Sequence, residues 1–194
     1  MNQRNKIIQG KYVIVEEVQP KHFEKIIEWR NNPENNRYLN QPYELTMELQ
    51  QKWYEKYLVD LTQGLFVFID KSNNKPFGTL GFTDYDAKKK IMIEGRALVG
   101  ESEYRGSKEL TEGYLLVNDY LYEQYDINTM YIHVVNQNKK VISLNKKWGY
   151  KLNNGPVCFP EELLVNGLEQ TEYLRDRNTY YKIRPKIEQI LNFL

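Results

Sequence analysis

The chain has 194 residues, enough for one domain with a substantial core, and its 41% hydrophobic and 27% charged residues suit a globular protein rather than a disordered one. Lys+Arg 27 against Asp+Glu 26 leave a net charge of +1, which argues against nucleic acid or an anionic membrane as partner and requires any anion site to be local. The single cysteine, Cys158, excludes an intrachain disulfide and a cysteine-based zinc site and fits a reducing, cytoplasmic setting, while the polar residues 1–10 do not resemble a signal peptide.

The β-branched segment Tyr12-Val-Ile-Val-Glu-Glu17 predicts a first strand. Pro20 opens a helix over residues 21–31, with Phe23, Ile26, Ile27 and Arg30 near helical spacing, and Asn31-Asn32-Pro33 stops it. Thr46 stands where it caps a second helix that runs to residue 61 and ends at Gln63-Gly64. Strands over 65–70 and 76–82 flank the turn Ser72-Asn73-Asn74-Lys75 as a hairpin. A polar turn at 84–89 leads to a strand over 91–99. A polar stretch from Glu101 to Gly106 precedes a long helix from about Ser107 to Gln124. A strand at 130–135 follows, then a helix at 137–148 closed by Gly149 as a glycine cap, then a strand at 150–152. Residues 153–176 mix loop, helix and strand signals, and 178–184 reads as the last strand. With no repeat and no flexible linker, the reading is one domain over 1–194, an α/β mixed sheet with helices on its faces.

The strand-to-helix junction Glu103-Tyr-Arg-Gly-Ser-Lys-Glu109 carries the first chemical signal. Unpaired amides of a first helical turn, helped by the helix dipole, bind anionic phosphates. Gly106 lets the backbone approach closely, and Arg105 and Lys108 add positive charge. An exposed loop with an ordinary helix start fits the same residues. The second signal is Asn138-Lys-Lys-Val-Ile-Ser-Leu144-Asn145-Lys146-Lys147-Trp148-Gly149-Tyr150.

This second segment resembles the GNAT N-acetyltransferase family, whose penultimate core helix follows Asn-x-x-(Ser/Ala)-x-x-(Leu/Val)-x-x-Lys-x-Gly-Phe. Asn138, Leu144, Lys147, Gly149 and Tyr150 match, with Val141 at the usual small position. Arg105-Gly-Ser-Lys-Glu-Leu-Thr-Glu-Gly113 resembles the loop-helix run of the ribosomal-protein branch, and Trp29-Arg30-Asn31 resembles a run in acetyltransferases of nucleotide-activated amino sugars. The resemblance spans residues 12–150 and is most specific over 91–150. It implies a central, mixed, mostly antiparallel twisted sheet of about seven strands with helices on both faces.

It also implies acetyl-CoA as co-substrate, no metal, and transfer to a primary amine. The coenzyme would be held by Leu98, Val99, Arg105, Gly106, Ser107, Lys108, Glu109, Leu110 and Asn138. An alkylammonium with a pKa near ~10 must lose a proton before attack, for which Glu94 is the first candidate base and His133 the second. Trp29, Arg30 and Tyr85 are the expected acceptor-binding residues. The expected acceptor is a small-molecule amine, in first place a nucleotide-linked amino sugar, acted on by a monomer or homodimer. A protein N-terminus, a polyamine or antibiotic amine, or a non-catalytic binding module are the alternatives. Three positions depart from the family pattern. Lys108 and Leu110 replace small loop residues, and Asn145 stands where many relatives place a tyrosine general acid.

Overall fold

The computed structural model describes residues 4–39 and 41–193; residues 1–3, 40 and 194 lie outside that description. The alternation expected of a half-covered strand appears in β2 (Val13–Glu17), where Val13, Val15 and Glu17 are buried and the residues between them only partly so. Before it, β1 (Ile7–Gln9) forms a hairpin with β2 that the polar N-terminal composition did not suggest. A turn of 3-10 helix at Pro20–His22 delays α1 to Phe23–Asn31. Pro33 opens the short α2 (Pro33–Asn36), with the Asn32 side chain capping it. Thr46 caps α3 (Met47–Val59) as expected, its hydroxyl accepting from the Leu49 amide.

Strand β3 (Gly64–Asp70) is buried at every residue, because helices cover both of its faces. The hairpin partner β4 (Lys75–Asp86) and then β5 (Ile91–Val99) continue the sheet. Helix α4 (Lys108–Gln124), β6 (Thr129–Val135), α5 (Lys139–Lys147) and β7 (Lys151–Leu152) follow. The sheet has nine strands in the order β1-β2-β3-β4-β5-β6-β9-β7, with β8 (Leu164–Val165) paired beside β9 (Leu168–Asp176). Every pairing is antiparallel except β5 with β6. The two strands beyond the expected seven, β1 and β8, are three and two residues long, too short to leave a periodic signal.

The end of α5 follows the expected glycine stop. The Tyr150 amide donates to Asn145 O and the Gly149 amide to Lys146 O, with Gly149 at φ 84°. The reading of 178–184 as a strand is corrected. This segment lies in α6 (Arg177–Leu191), and β9 is the last strand. Asp176 caps the helix through the Thr179 amide at 2.8 Å, and Tyr180, Ile187 and Leu191 are buried on one face. The run Thr179-Tyr-Tyr-Lys-Ile183 has strand composition, but packing decides. Tyr180 stacks on Tyr122 of α4 and its hydroxyl donates to Asp119.

One face of the sheet packs Phe66, Phe68, Leu80, Met92 and Ile132 against α4 and α6. The other packs Leu65, Val67 and Ile69 against Phe23, Ile26 and Trp29 of α1 and Tyr57 of α3. Among the described residues, no helix is long and apolar enough to cross a membrane.

Candidate active site

The site begins where the two parallel strands part. β5 and β6 pair only at Ile91↔Thr129, Met92↔Met130 and Ile93↔Tyr131. Beyond these, residues 94–99 stay with β4 and residues 132–135 stay with β9, so the facing edges open. A bulge bends β5 at this point. Thr79 pairs with Leu98 but Gly81 with Gly95, leaving Leu80 opposite both Arg96 and Ala97, with Arg96 at φ 54°. An open strand edge, as here beside Leu98 and Val99, takes an extended ligand as an added strand.

At the end of β5 the chain turns into α4. Ser107 is the N-cap, and its hydroxyl takes the Leu110 amide at 3.1 Å. The amides of Gly106, Lys108 and Glu109 have no partner among the described residues, so they remain available to an anion. Gly106, at φ 80°, is the loop residue that adopts the left-handed conformation, and a Cβ built there meets nothing within 4 Å. Lys108 is not strained by its replacement of a small residue. It opens the helix without a positive φ, and its Nζ lies 4.6 Å over the Tyr12 ring. Arg105 reaches Asn35 Oδ1 at 3.2 Å. Asn138 caps α5 through the Val141 amide, which leaves its Nδ2 group without a partner among the described residues. These features fit a diphosphate with an extended arm.

On the α1 and α3 face, a cleft of about 470 Å³ opens between the α1–α3 connection and the β8–β9 turn, bounded by Asn31, Asn36, Arg37, Gln41, Asn166 and Leu168. It continues toward Tyr43 and the exposed Glu44. Arg30 lies behind it, its Nε donating to Gln41 Oε1 at 2.6 Å. The bulge turns Arg96 to this face, away from the α4 side that simple alternation from Glu94 would give it. There the Arg96 guanidinium stacks over Trp53 at 5.3 Å and donates to Gln63 Oε1 at 2.5 Å, while its Nη1 is buried without a partner. Burial lowers the pKa of both arginines, Arg96 to about 10, with the nearby Arg30 charge adding to the effect. Both stay charged at neutral pH, and among the described residues neither has a carboxylate within ion-pair distance.

The expected residues divide between the two faces. Glu94, the first residue past the last β5–β6 pair, points to the α4 side. Its Oε2 lies 3.8 Å from Arg175 Nη2, and burial raises its pKa against the pull of that cation. The Arg175 guanidinium is fully buried among the rings of Tyr122, Tyr150 and Tyr180, donates to Trp148 O at 3.0 Å and also to Asn118 Oδ1. Glu94 therefore lies across the sheet from the cleft. His133 points to the cleft side, its Nε2 3.1 Å from Glu172 Oε2.

Two acceptor expectations are corrected. Trp29 is 2% exposed and its Nε1–H donates to Glu101 Oε1 at 3.0 Å, which makes it a core residue joining α1 to the end of β5. Tyr85 lies toward the hairpin end of β4, its ring against Tyr125 beside the end of α4 and its hydroxyl donating to Tyr125 O, on the side of the sheet away from the cleft. Arg96, Glu172 and Arg175 were missed. A lone arginine inside the apolar run Ile91–Val99 was a legible signal for Arg96. Glu172 and Arg175 fall in the stretch whose local signals conflict.

Comparison with known proteins follows the same lines. The family model described as "Acetyltransferase (GNAT) domain" matches residues 13–151. No curated protein sequence matches the chain. Solved structures share the fold. One is an apo nucleotide-linked sugar GNAT, FdhC, at 18% identity and TM-score 0.75, covering 96% of this chain and 99% of that one. A second, from Brucella melitensis, is a GCN5-related N-acetyltransferase at 17% identity and TM-score 0.79, covering 97% and 86%. The spermidine N-acetyltransferase of Vibrio cholerae, solved with CoA and spermine, matches at 17% identity and TM-score 0.74, covering 89% and 99%.

Proposed function

This chain belongs to the GNAT acetyltransferases, and we propose that it acetylates the amine of an amino sugar carried on a nucleotide or similar phosphate. GNAT acetyltransferases use acetyl-CoA, which supplies an acyl group whose carbonyl carbon accepts the amine. The amides of Gly106, Lys108 and Glu109 and the α4 dipole would hold the coenzyme diphosphate, with Arg105 and Lys108 adding charge. The β5 edge at Leu98 and Val99 would align the arm and donate to the thioester oxygen, and Asn138 would close the far side. The chain's own contribution is then chiefly positioning of the two reactants.

The observation that carries the choice of acceptor is the pair Arg30 and Arg96 on the cleft face of the sheet, Arg30 held behind the cleft by Gln41 and Arg96 held by Gln63, both neutral glutamines. A guanidinium with open donors recognises phosphate. A polyamine would instead meet two like charges. The fold shared with a nucleotide-linked sugar GNAT is consistent with this reading, as is the similar fold of a spermidine enzyme with an acetyltransferase of a different acceptor. The test is a panel of nucleotide-linked amino sugars, spermidine and peptide N-termini incubated with acetyl-CoA. Thiol release with the phosphorylated sugars is expected, and Arg30→Gln and Arg96→Gln should each raise their KM by about 10–100-fold, since charged hydrogen bonds contribute about 1.5–3 kcal/mol. Release with spermidine or peptides alone overturns the reading.

A further inference from the structure

We propose that His133 is the proton acceptor of the acetyl transfer and that Glu172 is the positioning residue that holds it in the working tautomer. The proposal rests on the acetyltransferase reading above. β6 and β9 pair His133 directly with Glu172 on the cleft side of the sheet. Both side chains are buried, 4% and 2% exposed. Glu172 has three further donors: the Cys158 amide at 3.0 Å, the Phe159 amide at 3.1 Å and Asn153 Nδ2 at 2.6 Å. Burial pushes the Glu172 pKa up, but the Cys158 amide, Asn153, the Phe159 amide and His133 together hold it below the usual range.

An ionised carboxylate only accepts hydrogen bonds, so His133 Nε2 must carry the hydrogen that it shares with Glu172. In the Nε2–H tautomer the ring then presents a bare lone pair at Nδ1. That atom is buried and has no partner among the described residues. An unpaired buried polar atom costs about 1–3 kcal/mol, a cost that is offset when a substrate N–H fills it. Among the described residues, the other buried carboxylate at the splay, Glu94, faces α4 beside Arg175, on the side of the sheet away from the cleft.

The location suits the role. His133 is the second residue beyond the last β5–β6 pair, on the face it shares with Gly95 of the opposite strand. A methyl built on Gly95 meets nothing within 4 Å, so the space over this face of β5 is open there. Leu168, which lines the cleft, precedes Glu172 on the same face of β9 by about 13 Å at ordinary strand rise. The Phe159 ring stands edge-on to the imidazole at 6.1 Å and roofs it from the loop that also supplies the Cys158 amide. As the amine nitrogen bonds to the acetyl carbon, its surplus proton passes to His133 Nδ1. The carbon–sulfur bond breaks, and the imidazolium returns the proton to the departing thiolate.

Nitrogen-15 NMR of His133 in the ligand-free protein is the direct test, and the Nε2–H tautomer is expected. His133→Gln, which keeps a donor toward Glu172, should lower kcat by about 10²–10⁴-fold while the melting shift on adding acetyl-CoA is unchanged. Imidazole in the buffer should restore part of the rate of His133→Ala. Glu172→Gln should move the ring proton to Nδ1 and lower kcat to a similar extent. An Nδ1–H tautomer in the wild type, or wild-type turnover by His133→Gln, overturns the proposal. The tautomer measurement needs no variant, so it decides even if His133→Gln does not fold. A wild-type protein that binds acetyl-CoA but acetylates none of the panel speaks against the acceptor reading alone.

Discussion

Gly106 concentrates the conformational demands of the loop before α4 in one residue. Its φ of 80° strains any side chain, and the space its Cβ would occupy is left open by the protein. Gly106→Val is expected to lower stability by about 1–3 kcal/mol, the usual strain for a β-branched residue there. It should also abolish the melting shift with acetyl-CoA, whereas Ser107→Ala should cost about 1 kcal/mol of helix capping and leave most of that shift. The glycine and the flanking cations were legible because each acts locally. Whether Lys108 needed a positive φ was not legible, since that depends on where the first helical turn begins.

Among elements, Glu101 joins three. Lys75 of β4, Trp29 of α1 and Lys25 of α1 all meet its carboxylate just past the end of β5. The Lys75 hydrogen bond first, and then that of Trp29, bring its pKa from the ordinary 4.5 to about 2. An acid with a depressed folded-state pKa adds stability that is complete above the ordinary value and fades as pH falls through 4.5 toward 2. Glu101→Gln should therefore cost on the order of 2 kcal/mol at pH 7 by urea denaturation, with the gap to wild type narrowing below pH 4.5. Sequence placed Trp29 correctly at the end of α1 but assigned it to the acceptor. The glutamate that claims its indole N–H lies 72 positions away. Helix α6 was misread for a related reason. Its aromatic and β-branched residues favour a strand until Tyr180 finds Tyr122 on α4.

Across the whole molecule, Arg175 and Glu94 tie β9 to β5, and Asn118 and Trp148 O bring in α4 and the end of α5. Arg175→Met should destabilise the protein by about 3–5 kcal/mol by leaving Glu94 buried without its partner, and adding Glu94→Gln should recover part of the loss in thermal melts. The sequence by itself determined the order of the main elements, the family, the turn into α4 and the glycine stop of α5, because strand alternation, caps and turn residues act over a few positions. Only the tertiary structure decided which face Glu94 and Arg96 present, and that His133 meets Glu172. A bulge of one residue reverses the first relation. The register of two strands about 40 residues apart sets the second, and no local pattern records either.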